Sequence, residues 1–175
     1  MKYVAFLRGI NIVGKNTVKM DDLRSIFATL GFKGVKTYIN SGNVIFETRK
    51  TPRESLESKI KKALESNLSM DIKVMIRNIG EIVDLLDRNP FQTHESDGHE
   101  VFVVFLSGDL TVQNERQLLD QNCAAEEFAV SGPNVFCRVK KAYPDSLLGK
   151  MFIEKKLKAP STIRNIRTVR KIAEL

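Results

Sequence analysis

The feature that most constrains this chain is the order in which its apolar residues change period, from strand-like runs to helical spacing and back. Residues 3–8 suggest a strand. A helix follows over about 20–30, with Leu23, Ile26, Phe27 and Leu30 at i, i+3, i+4 and i+7 and Gly31 as its stop. Asp21 and Asp22 fall in its first turn, where the helix dipole favours negative charge. Residues 35–40 and 43–48 read as two strands around Ser41-Gly42-Asn43, a loop whose Gly and Asn tolerate positive φ. Thr51-Pro52-Arg53-Glu54 has the form of a capping box, and the helix it opens carries Leu56, Ile60, Leu64 and Leu68 on one stripe. A fourth strand over 72–77 closes the unit.

That order, β-α-β-β-α-β, is the ferredoxin-like plan. Right-handed crossovers place both helices on one face of a four-stranded antiparallel sheet. The second half repeats the plan less completely. A bridging helix over 79–88 is stopped by Asn89-Pro90. Strand 100–106, helix 111–121, strand 126–130, the turn Ser131-Gly132-Pro133-Asn134, strand 135–139 and helix 145–157 come next. A terminal helix over 163–174 is expected in place of a closing strand. The expected fold is therefore α+β, with two ferredoxin-like halves, the second incomplete. Its parts are a domain over 1–78, a bridge over 79–99 and a second domain over 100–175.

Charge is unevenly spread along this order. Residues 1–78 carry a net +8, residues 79–139 a net −8 and residues 140–175 a net +7. The basic ends point to an anionic partner, and opposite charges that help two halves dock explain them equally well. No apolar run approaches the roughly 20 residues that span a bilayer, and the opening residues read as a strand rather than a leader, so a cytoplasmic chain without membrane insertion is expected. Cys123 and Cys137 have no metal-type spacing and read as reduced, buried thiols.

Two polar segments stand out. The first, Gly9-Ile10-Asn11-Ile12-Val13-Gly14-Lys15-Asn16-Thr17, approaches the phosphate-binding pattern G-x-x-x-x-G-K-[ST]. Asn16 stands where a magnesium-holding hydroxyl is needed, and the helix begins near Met20, so a nucleotide-hydrolase loop is disfavoured. Glycines and backbone N–H groups beside Arg8, Lys15 and Lys19 can still hold an oxyanion. The second segment is terminal. Arg164, Thr168 and Lys171 recur at i, i+4 and i+7, which puts three donors on one helical face behind a Ser161 or Thr162 cap. A solvated basic face on a docked helix is the plainer account.

Other chemistry is sparse. The third strand, Asn43-Val44-Ile45-Phe46, lacks the paired aromatics with which RNA-recognition modules stack bases. His94, Asp97 and His99 read as a surface loop rather than a metal site, and Glu126 and Glu127 as strand residues rather than an acid–base pair. No metal or cofactor is expected.

Several of these residues together resemble a known family. Residues 3–11, then Gly14-Lys15-Asn16, Val18-Lys19-Met20 with Leu23, and Thr37-Tyr38-Ile39-Asn40-Ser41-Gly42-Asn43-Val44 resemble the bacterial family catalogued as domain of unknown function 1697. Thr162, Arg164-Asn165 and Thr168-Val169 resemble its C-terminal signature; Ile166 stands where the family pattern often has an aromatic. The resemblance implies a small cytosolic α+β protein and no particular activity. It concentrates polar residues at Arg8, Asn11, Lys15, Asn40, Ser41 and Asn43, where a core role is weak. The leading expectation is a binding protein for an anionic ligand, a nucleotide or nucleic-acid phosphate. Arg8, Lys15, Lys19, Arg164 and Lys171 would supply charge, and Asn11, Asn40, Ser41, Asn43, Asn165 and Thr168 would orient the ligand. The alternatives are a metal-independent enzyme on a small phosphorylated or carboxylated metabolite, and an interaction module such as a homodimer.

Overall fold

The computed structural model describes residues 1–12, 16–92 and 98–175. They form two compact units, Met1–Val83 with Ile172–Leu175, and Asp84–Lys171. The first contains β1 (Lys2–Leu7), α1 (Met20–Thr29), β2 (Lys33–Tyr38), β3 (Asn43–Glu47), α2 (Arg53–Leu68) and β4 (Val74–Asn78), in the expected order. Its sheet runs β2-β3-β1-β4 with every pair antiparallel. Tyr3, Ala5, Leu7, Val44, Phe46 and Ile76 face Leu23, Ile26 and Phe27 of α1 and Leu56, Ile60 and Leu64 of α2. Phe46 anchors this core, stacked on Phe32 at 4.4 Å and meeting Phe27 edge-on at 5.4 Å. Such ring pairs add about 0.5–1.5 kcal/mol each beyond their buried area. The capping box before α2 does not form: Pro52 is the N-cap, and the Thr51 hydroxyl donates to Arg49 O.

After α3 (Ile79–Asp87), the second unit carries β5 (His99–Leu106), α4 (Val112–Leu119), β6 (Glu126–Ser131), β7 (Asn134–Lys140), α5 (Phe152–Lys155), β8 (Ser161–Asn165) and α6 (Ile166–Glu174) as far as Lys171. Its sheet runs β6-β7-β5-β8, again antiparallel. The second half is therefore not incomplete. Residues 161–165 close the sheet as β8, from Leu106↔Ser161 to Phe102↔Asn165, and do not open the terminal helix. Ile166, Val169 and Ile172 form a buried stripe of α6, but the helix starts at Ile166, later than the expected residue 163. Asn165, not Ser161 or Thr162, begins the helix, accepting a hydrogen bond from Arg167 N at 2.9 Å.

The helix expected over 145–157 also shrinks, to Phe152–Lys155. Left-handed Met151 (φ 58°) interrupts the helical path, and the buried Glu126 carboxylate, accepting from Ser146 Oγ (2.8 Å), Leu147 N (2.7 Å) and Leu148 N (3.0 Å), fixes the separate turn that precedes it. Ion-paired Glu127 faces Arg138 instead, so the two glutamates do not form a pair.

The two units repeat residues as well as topology. Phe6-Leu7-Arg8-Gly9 corresponds to Phe105-Leu106-Ser107-Gly108, Asn43-Val44 to Asn134-Val135, and Ile76-Arg77-Asn78-Ile79 to Ile163-Arg164-Asn165-Ile166. Registers agree with this: Phe6 faces Asn43 and Phe105 faces Asn134, while Val4 faces Arg77 and Val103 faces Arg164. Leu7 N donates to Gly42 O (2.8 Å) as Leu106 N does to Pro133 O (2.9 Å), and Arg8 N to Lys73 O (2.9 Å) as Ser107 N to Pro160 O (3.0 Å).

Candidate functional site

The connection from β1 to α1 is where the first unit carries most of the polar residues singled out by sequence. Its geometry starts from two backbone ties at the end of β1, one to the β2–β3 hairpin through Gly42 and one to the start of β4 through Lys73. Beyond them Gly9 (φ 75°) turns left-handed, and Ile10 drops into the core at 5% exposure. Asn11, itself left-handed at φ 52°, organises the rest of the connection. Its Nδ2 donates to Val18 O (3.0 Å) and to Asn40 O (2.9 Å), and its Oδ1 accepts from Val18 N (2.7 Å). Its own N–H donates to Asn16 O at 2.9 Å, and Asn16 Nδ2 returns to Gly9 O at 2.8 Å. One amide thus joins both ends of the connection to the hairpin.

The hairpin is shaped to receive it. Gly42 has φ 77°, and a Cβ there would lie 2.8 Å from Ile10 Cδ1 and 2.9 Å from Leu7 Cβ, so glycine is required twice over. Asn43 is fully buried and donates to Tyr38 O (3.0 Å) and Ser41 Oγ (2.9 Å). Ile39 takes φ 48° at 49% exposure, and a β-branched residue in the left-handed region stores about 1–3 kcal/mol of strain. Lys19, at the N-cap of α1, and Asn40 are exposed; Arg8 and Ser41 are half-buried. The amides of Asn11 and Asn43 are engaged in holding the turn, and among the described residues of the connection Lys19 is the exposed cation, with Arg8 partly covered. Lys15 lies outside the described residues, as do Gly14, His94 and Asp97. His99 is the first residue of β5.

The terminal group divides differently. Arg164 sits in β8 at 8% exposure and donates to Thr162 Oγ1 (2.7 Å) and Ile163 O (2.8 Å), so it does not share a helical face with Thr168 and Lys171. Burial draws its pKa down to about 10, which leaves it charged at neutral pH. Thr168 is half-buried and Lys171 exposed, both on α6. Arg77, which no sequence motif singles out, is the internal counterpart of Arg164 and is 1% exposed, with its guanidinium on Ile76 O at 2.7 Å. The recurring Ile-Arg-Asn-Ile was the signal that could have found it.

Two further features bear on chemistry. The sheet face turned away from α1 and α2 carries Val4, Phe6, Ile45, Met75 and Arg77, all at 1% exposure or less, so bases cannot stack there as they do on an RNA-recognition sheet. At the opposite end of β1 from the polar connection, a cleft of about 410 Å³ is lined by residues that include Met1, Tyr3, Arg53, Asn78 and Glu81. Two of its charged side chains are matched to each other. Arg53 pairs with Glu81 at 3.2 Å, and Asn78 and Glu81 form a reciprocal cap at the start of α3, N–H to side chain in both directions at 3.0 and 2.9 Å. Cys137 is buried against Glu126, and burial together with that carboxylate pushes its thiol well above the ordinary range, so it is no nucleophile. No group of three or more His, Cys, Asp or Glu suited to a metal ion occurs among the described residues. Nor is any helix among them long and apolar enough to cross a membrane.

No functionally curated protein matches the chain. The structure is similar to that of the conserved bacterial protein SP0830 from Streptococcus pneumoniae, with a TM-score of 0.81 at 22% identity, covering 99% of this chain and 97% of that one. That likeness is one of fold. A family profile described as protein of unknown function (DUF1697) matches residues 1–136, and the chain belongs to that family.

Proposed function

We propose that the first unit binds the phosphate of a nucleotide or nucleic acid at the β1–α1 connection. The observation that carries this reading is a departure from the internal repeat. The second unit joins β5 to α4 through residues 107–111, whereas the first spends residues 8–19 on the same task. The longer connection holds Arg8, where the other copy has Ser107, together with Lys15, Lys19 and an Asn11-centred bonding pattern absent from that copy. Polar residues with no core to fill, on a connection kept in shape by side-chain amides, suit ligand recognition better than packing. In this reading Arg8, Lys15 and Lys19 give charge-assisted contacts, Asn40 and Ser41 orient the ligand, and Asn11 and Asn43 act by positioning. In the second unit Arg164 and Asn165 fix the strand-to-helix corner that leads to Thr168 and Lys171.

A thermal-shift titration with nucleoside mono- and triphosphates and short oligonucleotides tests it. Ligand at about 100 times its Kd should stabilise the protein by about 2.7 kcal/mol. Lys19→Ala should weaken binding about tenfold while the unliganded melting temperature stays put, since the side chain is exposed. Asn11→Ala should lower that temperature and the affinity together, costing about 2 kcal/mol through the stranded Val18 and Asn40 groups. No shift with any phosphate ligand ends the reading.

A further inference from the structure

The repeat is broken a second time, in the second unit. The counterpart of α2, a regular helix of 16 residues, is an irregular segment over residues 141–159 whose only α-helix is Phe152–Lys155. This irregularity is held at a cost. It needs the buried Glu126 carboxylate and left-handed backbone at Ala142, Met151 and Lys158. Leu148, Ile153 and Leu157 fix its inner side in the core of the second unit. Its outer side, with the strand end that leads into it, shows Lys140, Lys141, Lys150, Lys155, Lys156 and Lys158, all exposed.

These lysines differ from those of α2. There Lys59 donates to Leu30 O (2.9 Å) and lies 5.1 Å over the Phe32 ring, and Lys61 pairs with Asp71 at 2.9 Å. In the second unit Lys150 pairs with Asp145 at 2.7 Å, while Lys140, Lys141, Lys155, Lys156 and Lys158 have no ion pair among the described residues. Five unmatched like charges on one short segment repel one another. The preceding stretch of the chain, residues 79–139, carries a net −8, so the positive charge is segregated rather than spread.

We propose that residues 140–158 form a docking surface for a nucleic-acid phosphate backbone, independent of the site on the β1–α1 connection. Lysines are flexible point charges, suited to phosphates along a strand and without the planar fork that reads base edges, so recognition is independent of sequence. A membrane surface fits less well, because Leu148, Ile153 and Leu157 are committed to the core and Met151 is the one large apolar side chain of residues 140–158 that is exposed, too little to insert.

Fluorescence anisotropy of the full chain with a labelled duplex and a labelled single strand of random sequence tests this, with phosphatidylserine vesicles as the competing surface. For the duplex, log K should fall against log salt with a slope of about −4 to −5, from about 0.9 per lysine–phosphate contact. Replacing Lys155, Lys156 and Lys158 together by Ala should flatten that slope by about 2 to 3 and weaken binding at least tenfold at about 0.1 M salt. Replacing Lys59, Lys61 and Lys62 together by Ala is the charge-matched control and should leave the slope unchanged. The proposal is overturned by a triple variant that binds like the parent, by binding to vesicles but not to oligonucleotides, or by no salt-dependent binding at all. A mononucleotide-induced thermal shift that Lys19→Ala abolishes and the triple variant retains separates this surface from the first site.

Discussion

In the first unit the chain leaves its central strand β1 on a long connection and crosses back on a regular helix, α2. In the second it leaves β5 on a short turn and returns through an irregular segment pinned by Glu126. Everything between these departures is shared: strand order, the Phe–Asn and Val–Arg registers, and the backbone ties that close each central strand. A residue present in both copies at the same register is explained by the fold they share. By that measure Arg164, Asn165 and Asn43, which attract attention as polar residues, are scaffold, with Arg77, Asn78 and Asn134 as their counterparts. Arg8, Asn11 and Lys19 have none, since Ser107 stands opposite Arg8 and the loop beyond it is missing. The comparison thus separates two kinds of polar residue that composition alone pools together.

The largest test of that separation is at the two buried arginines. If Arg77 and Arg164 hold equivalent places, then Arg77→Ala and Arg164→Ala should each cost about 3 kcal/mol, because each leaves a void and strands the carbonyl it bonds. Urea unfolding reads both. A much smaller loss at Arg164 with a selective loss of ligand binding would restore it to the binding site and break the equivalence.

The two hairpin glycines should then differ, although both follow a serine in a Ser-Gly turn. Ala at Gly42 meets Ile10 and Leu7 below 3.0 Å and a left-handed backbone as well, which should cost about 3 kcal/mol. Gly132 (φ 54°) has only Asp109 Oδ1 near its absent Cβ, at 3.9 Å, so Gly132→Ala should cost about 1 kcal/mol of backbone strain. Thermal unfolding of the two variants side by side measures the difference. Equal losses would mean that the Ile10 plug, which belongs to the long connection, does not press on the hairpin.

Much of this was legible in the sequence, and the reasons for what was not are physical. The strand and helix order was readable because each element carries its own apolar period, as in Leu23, Ile26 and Phe27 of α1. The β8–α6 boundary is misread from sequence because Arg164, Thr168 and Lys171 fall at helical spacing by coincidence, and a five-residue strand with one partner carries little period of its own. Asn11 stands out for its polarity, but that its amide would bridge Val18 and Asn40 depends on a hairpin some thirty residues away in sequence. Nothing local marks Glu126 as the residue that fixes the turn ahead of left-handed Met151 some twenty residues later, since its bonds there are tertiary. Arg77 escapes notice for a simpler reason: a lone arginine in a strand reads as solvent-facing, and only its echo in the second copy reveals the buried position.

The smallest expected effect lies at a position with no counterpart in the second unit. Glu57 of α2 reaches the outer edge of β4 and accepts from Ile76 N at 2.9 Å, occupying an N–H that an edge strand would otherwise offer to another chain. Burial raises its pKa above the ordinary glutamate range, and the Ile76 bond with the nearby Arg77 and Arg53 charges offsets only part of that. A carboxyl whose folded pKa lies above its unfolded one binds its proton more tightly in the fold. Its contribution is therefore most favourable below the unfolded value and is lost as pH rises through the folded one. Glu57→Gln keeps an acceptor for Ile76 and removes the charge. The variant should match the parent near pH 4, gain slightly over it near pH 7, and unfold with a flatter pH profile between about pH 4 and about pH 7. Urea midpoints across that range decide it. A variant less stable than the parent at neutral pH would show that the arginine charges outweigh burial, and that α2 and β4 are joined by an ion network which the second unit manages without.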